Sequence, residues 1–297
     1  MIFDTDFLVT QLVAGVARGM MLFLLSAGLS LIFGIMNIVN FAHATFLLLA
    51  GYLICSIYAF LGALLGLGGP VFLLAVALGC IAMAALGFAI ERLFLSRMYH
   101  RALPEQLVLT FAMVLVLGDV IRLVWGVSNR SVSFDIEPVE ILGSFVNPYQ
   151  FIIIGLGVAV AVGLWAFLRF SRYGRIVRAA VYSRDMVSAL GIRVGLIYGG
   201  VFALGIALAA LAAGAFLPMV PMALGVDVDL IIQSFAVVVI GGFGSILGTF
   251  VASLIVGIVY AFSIVVWPNG ALAVVYMIVV AILLWRPWGL FGSELRT

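Results

Sequence analysis

The sequence has no lysine, only two histidines and two cysteines, and 9% of its 297 residues are charged. An average soluble domain carries about 25% charged residues. Hydrophobic residues make up 66% of the chain, and the mean hydropathy is +1.38. No soluble fold could hide that much apolar side chain beneath a polar surface, so the soluble enzyme classes are excluded and a polytopic membrane protein is indicated. Disorder is excluded as well, because it needs few apolar residues and many charges. Cys55 and Cys80 both lie inside apolar runs. They are too few for a disulfide framework or a zinc site and read as small packing residues. His43 and His100 do not make a histidine-rich metal site, and no metal is expected. The opening Met-Ile-Phe-Asp-Thr-Asp has no basic region, so the first apolar segment is expected to be kept as a span.

The charge that is present is unevenly placed. All fourteen basic residues are arginine, and Arg169, Arg172, Arg175, Arg178, Arg184 and Arg193 fall in one stretch. Arg92, Arg97 and Arg101 form a second cluster. A helix needs about 20 mostly apolar residues to cross a bilayer. Such runs occur at 12–35, 41–65, 71–91, 105–126, 149–168, 196–217, 230–243, 246–266 and 270–285, the seventh being short. Every proline lies at or outside a run edge, where a helix can stop without losing a hydrogen bond in lipid. The reading is therefore an all-α bundle of eight or nine spans in a single membrane domain over 1–297, with no separate soluble domain. By the positive-inside rule, the loops 92–104 and 169–195 and the tail with Arg286 and Arg296 are cytoplasmic. The acidic loops 127–147 and 218–229 then face outward, and nine spans with an external N-terminus satisfy all of these assignments.

Several polar features interrupt the apolar runs. Asn37, Asn40 and His43 stand within what could have been one long span. Polar groups at such depth cost several kcal/mol unless paired or facing a cavity. As a helix they would lie near one face. Two readings stay open: an ordinary cytoplasmic turn with polar caps, or a broken helix whose backbone lines a solute path. Asp119 and Arg122 are spaced as a mutually neutralised pair near a span end, and Glu91 and Glu105 also lie at span ends. Scarcity of deep carboxylates argues against ion coupling. Small residues recur every fourth position at Ser26, Ser30 and Gly34, at Gly205, Ala209 and Ala213, and at Gly244, Gly248 and Ala252. Such stripes allow close helix packing, within one bundle or at a subunit interface. Gln233 is followed by Gly241-Gly-Phe-Gly-Ser-Ile-Leu-Gly248, which bends or ends a helix and lacks the lysine of a nucleotide loop.

The arginine-rich loop holds a short capped helix. Ser183 suits the N-cap, Asp185 the first turn and Gly191 the position past the end. Met186, Val187 and Leu190 would share its apolar face. A helix this short does not persist alone, so it must bury that face against lipid headgroups or a groove on a cytoplasmic partner.

At these residues the chain resembles the permeases of branched-chain amino-acid ABC importers. Gly28-Leu-Ser-Leu-Ile-Phe-Gly-Ile-Met-Asn-Ile-Val-Asn-Phe-Ala-His43 is similar to their first signature, 179–192 to their coupling loop and 241–248 to their glycine signature. The resemblance covers nearly the whole chain and fits the first of two permease subunits. Ala44 departs from it, standing where the family usually has glycine. It implies a multi-pass protein of a bacterial inner membrane that is not an enzyme, holds no cofactor and binds no nucleic acid. The implied partners are a second permease, two cytoplasmic ATPases that bind the ATP, a periplasmic solute-binding protein and membrane lipid. The implied coupling residues are Arg184, Asp185, Met186, Val187, Leu190 and Gly191; the implied pathway residues are Asn37, Asn40, His43 and Gln233. An ion-coupled carrier or channel is the alternative from another class. A membrane enzyme would need a His, Asp or Glu cluster on one membrane face.

Overall fold

The computed structural model describes residues 5–292 apart from 100, 135 and 142; Arg296 of the expected cytoplasmic tail lies outside the described residues. Its helices are α1 (Thr5–Met36), α2 (His43–Leu65), α3 (Gly69–Leu93), α4 (Leu103–Trp125), α5 (Tyr149–Phe170) and α6 (Arg172–Tyr182). They continue as α7 (Arg184–Ala189), α8 (Val194–Phe216), α9 (Val226–Gly241), α10 (Ile246–Val266) and α11 (Ala271–Trp285). Among the described residues eight helical segments are long and apolar enough to cross a membrane, the last counted from Pro268 to Trp285. The short seventh run is α9, whose 16 residues extend about 24 Å, less than the ~30 Å hydrocarbon core. The fold is that of a polytopic helical membrane protein. One feature escaped an all-α expectation: β1 (Val139–Ile141) and β2 (Ser144–Val146) pair as an antiparallel hairpin in the loop before α5. The runs are too short to show alternation in sequence. Pro70 and Pro104 occupy first-turn positions of α3 and α4, where no backbone donor is needed.

The chain forms two compact units, each assembled from separate segments. The first comprises Met1–Ala27, Asp135–Leu164 and Gln233–Thr297. In it α1 and α10 cross antiparallel: Phe7 meets Phe262 and Phe23 meets Phe250 edge to face, at ring separations of 6.3 and 5.2 Å. The crossing is close because it is built on glycine. A Cβ at Gly15 would stand 2.8 Å from the Ile258 Cα, and one at Gly19 2.8 Å from the Ser253 carbonyl. In lipid the apolar solvent drives no helix pairing, so this close dispersion contact carries the association.

The second unit comprises Gly28–Phe134 and Trp165–Ile232. Here α3 runs antiparallel to α8, with Gly87 under Ile206 and Gly214 under Val76. The stripe Gly205, Ala209 and Ala213 is spent within this unit: Ala209 and Ala213 are fully buried, and Gly205 receives Ile32 of α1.

The placement of arginine gives a direct test of orientation. Ser133, before the hairpin, and Ser188, in the α5–α8 connection, are both exposed. With Cys55 and Cys80 replaced, a cysteine at 133 is expected to react with an impermeant maleimide in intact cells and one at 188 is not. The reverse pattern would overturn the positive-inside assignment.

Candidate functional site

The interruption between α1 and α2 is the centre of the site. Asn37 sits at φ +53°, the one non-glycine with positive φ among the described residues. Asparagine tolerates this left-handed conformation and so ends helices. The Asn40 side-chain oxygen accepts from the Ala42 amide at 3.1 Å, and the Asn40 carbonyl accepts from the His43 amide at 3.3 Å. Together they start α2. The left-handed residue separates Asn37, which is exposed, from Asn40 and His43, which are fully buried. The expected shared helical face is therefore not formed.

The level of the break along α8 follows from three contacts. A Cβ at Gly28 would meet the Gly205 carbonyl at 2.5 Å and the His43 ring at 2.9 Å. Gly205 is at the middle of the 23-residue α8, and Phe46 packs edge to face on Phe202 of the same helix at 6.2 Å. So α2 begins at mid-height of α8. Residues 37–42 are irregular backbone at that level, with Ile38, Asn40 and Ala42 buried and Asn37 and Phe41 exposed. The Thr110 hydroxyl of α4 reaches one freed carbonyl, that of Val39 at 3.3 Å, and shares its proton with the Leu107 carbonyl at 3.2 Å. Backbone of this kind is tolerated within a membrane protein where it is buried in protein or lines a cavity.

A cavity of about 540 Å³ opens beside the break, lined by Phe41, Thr45, Leu107, Phe111, Asp227 and Ile231 among others. The Thr45 hydroxyl donates to Asp227 at 2.7 Å. Asp227 is only 7% exposed. Sequence reasoning placed it in an outward loop and missed it. The shortness of α9 was the available signal, since a helix too short to span must start within the membrane's depth. Glu91 lies at the end of α3, where it was expected, and is fully buried. The Tyr99 hydroxyl donates to its Oε1, and its Oε2 has no partner among the described residues. Glu91 and Asp227 are thus both buried, each in the terminal turn of its helix. The Asp119–Arg122 pair, by contrast, is exposed at 4.0 Å, as its spacing implied.

Gln233 belongs to the first unit, whereas Asn37, Asn40 and His43 belong to the second. Its Oε1 accepts from the Arg18 guanidinium at 3.0 Å, and that guanidinium lies 3.6 Å from the Tyr260 ring centroid. Sequence reasoning overlooked Arg18, the one arginine inside the first span. Its Nε has no partner among the described residues. The glycine signature is structural. Gly242 and Gly244 have φ of +93° and +77°. A Cβ at Gly241 would sit 2.5 Å from the Gly248 carbonyl carbon, and Ser245 caps α10 by accepting from the Gly248 amide at 3.0 Å.

The α5–α8 connection contains two helices where one was expected. Ser171 caps α6, accepting from Gly174 at 2.8 Å. Val177 and Ala180 of α6 face inward and its arginines outward. Arg175 donates to the Phe170 carbonyl at 3.2 Å, and Arg178 to that of Leu168, covering the open end of α5. Ser183 caps α7, accepting from the Met186 amide at 3.2 Å, and Gly191 has φ +78° just past its end. Of Arg184 and Asp185 the backbone alone is described. The expected common face of Met186, Val187 and Leu190 is divided. Val187 is 3% exposed, whereas Met186 and Leu190 are 67% and 74% exposed. Met186 and Leu190 are one helical turn apart, and Val187 is turned inward to anchor the helix on its own chain.

Residues 11–284 match the family described as branched-chain amino acid transport system / permease component. The chain is 30% identical to the high-affinity branched-chain amino acid transport system permease protein BraD of Pseudomonas aeruginosa, over 95% of both chains. It is 28% identical to the corresponding LivH proteins of Salmonella typhimurium and Escherichia coli, over 95% of this chain and 94% of each relative. No solved structure matches it. The fold is that of a multi-pass membrane permease, and the chain belongs to the branched-chain amino acid transport permease family.

Proposed function

We propose that this chain is a permease subunit of an ATP-driven bacterial inner-membrane importer for branched-chain or other hydrophobic amino acids. The observation that carries this reading is the family match over 11–284. The proposed assembly contains a second permease, two cytoplasmic ATPases and a periplasmic solute-binding protein. The ATPases hold the ATP, and this chain holds no catalytic residue or cofactor. Residues 184–191 dock an ATPase: Met186 and Leu190 make the contact, Val187 anchors the helix, and Arg184, Asp185 and Gly191 frame it. Asn40 and His43 shape the interrupted helix beside the solute path, with Asn37 at its exposed corner. Gln233 positions Arg18 in the first unit.

The ion-coupled alternative draws on one observation, the buried carboxylates Glu91 and Asp227. Energy supply separates the two. With ATP held constant, collapse of the proton gradient is expected to leave amino-acid uptake intact, and ATP depletion to stop it. Uptake abolished by an uncoupler at constant ATP would transfer the reading to the carrier.

A further inference from the structure

We propose that the cavity between α2, α4 and α9 binds a primary ammonium group carrying a short branched aliphatic chain, and that Asp227 is the residue that holds the ammonium. The inference rests on the amino-acid importer reading and places the solute within this chain.

The argument starts from an incompletely compensated carboxylate. Asp227 is 7% exposed and receives one neutral donor, the Thr45 hydroxyl. An ionised carboxylate has about four acceptor positions, and burying it without a cation is costly. Among the described residues the only ion pairs are Arg101 with Glu105 and Arg122 with Asp119. Asp227 and Asp229 both lie in the first turn of α9, where either charge suits the helix dipole, but that role does not require burial. Buried ionisable groups within membrane proteins mark substrate or ion paths.

The rest of the cavity selects the kind of cation. Leu107, Val108, Phe111, Val114, Ile231 and Ile232 line it. A volume of about 540 Å³ lies within the ~300–1,000 Å³ usual for small-molecule sites, which combine apolar walls with a few placed polar groups. A hydrated metal ion would gain nothing from these walls. An ammonium on a branched aliphatic chain satisfies both the carboxylate and the walls. The cavity also adjoins the interrupted helix, since Phe41 lines it. A one-residue change in that break would therefore move the cavity wall.

The test uses the full-length permease purified with its partner subunits, with Cys55 and Cys80 replaced and Val228→Cys as a reporter. Val228 lines the cavity and is exposed. With each rate divided by that reagent's rate on a free thiol, a trimethylammonium methanethiosulfonate is expected to label it about tenfold faster than the sulfonate counterpart, because the carboxylate attracts one reagent and repels the other. L-leucine is expected to slow labelling, and isocaproate, which has the same carbon chain without the ammonium, is not. Asp227→Asn keeps the shape and the Thr45 hydrogen bond and is expected to abolish both effects. Asp227→Glu is expected to retain the charge preference. Equal labelling by both reagents in the parent protein, or equal protection by leucine and isocaproate, would overturn the proposal even if Asp227→Asn fails to fold. Charge preference and leucine protection in a complex that imports no amino acid would reject the importer reading and leave the site standing. Amino-acid import without either effect would do the opposite.

Discussion

Leu190→Asp is expected to lower recovery of the ATPase with the permease by about tenfold or more. Leu190 stands 74% exposed on α7, one turn from Met186, which is also exposed. Such an apolar pair, held on a capped helix in the α5–α8 connection, is left uncovered by the described residues. Burial of one large apolar side chain contributes roughly 1.5–3 kcal/mol, and 1.4 kcal/mol is a tenfold change in affinity. The aspartate removes that contact and adds a charge to be desolvated. Membrane insertion should be unaffected, because the substituted side chain is already exposed. Ser188→Asp, on the opposite face, is expected to leave co-purification unchanged. Val187→Asp is expected to damage the connection itself, because Val187 is buried; its defect should appear as lost protein, not as lost partner. Wild-type ATPase recovery and stimulation with Leu190→Asp would make α7 a connector, and the docking element would then be sought in 92–104.

The second large effect concerns Arg18 and Gln233. Gln233→Leu removes the oxygen 3.0 Å from the Arg18 guanidinium. A hydrogen bond to a charged group is worth about 1.5–3 kcal/mol, and leaving the charge unpaired costs its full desolvation. The variant is expected to unfold in detergent at a clearly lower temperature. Arg18→Met in the same chain removes the stranded charge and is expected to restore most of that loss, as replacing both partners of a buried polar contact commonly does. Additive losses in the double variant would show that the two residues act independently.

Much of this architecture was legible in the chain. The apolar runs, the prolines at their edges and the arginine clusters are local features, and each has a direct physical meaning in a bilayer. Ser183 and Gly191 marked the ends of α7 because capping is a short-range hydrogen-bond problem. Asp119 and Arg122 were readable for the same reason. The inward turn of Val187 was not, because the face a short helix buries depends on what it packs against. Arg18 was overlooked because one arginine in a long apolar run looks like an interruption until Gln233 and Tyr260, more than 200 positions away, are seen around it.

The sequence by itself determined that this is a helical membrane protein, approximately where its spans lie and where its connections carry arginine. Those properties follow from side-chain transfer energies and local periodicity. Only the tertiary structure decided that the Asn37–Ala42 segment lies at mid-height of α8, through Gly28 against Gly205 and Phe46 against Phe202. It also decided that Asp227 is buried against Thr45. Depth and burial are set by contacts between residues distant in the chain, and no local pattern encodes them.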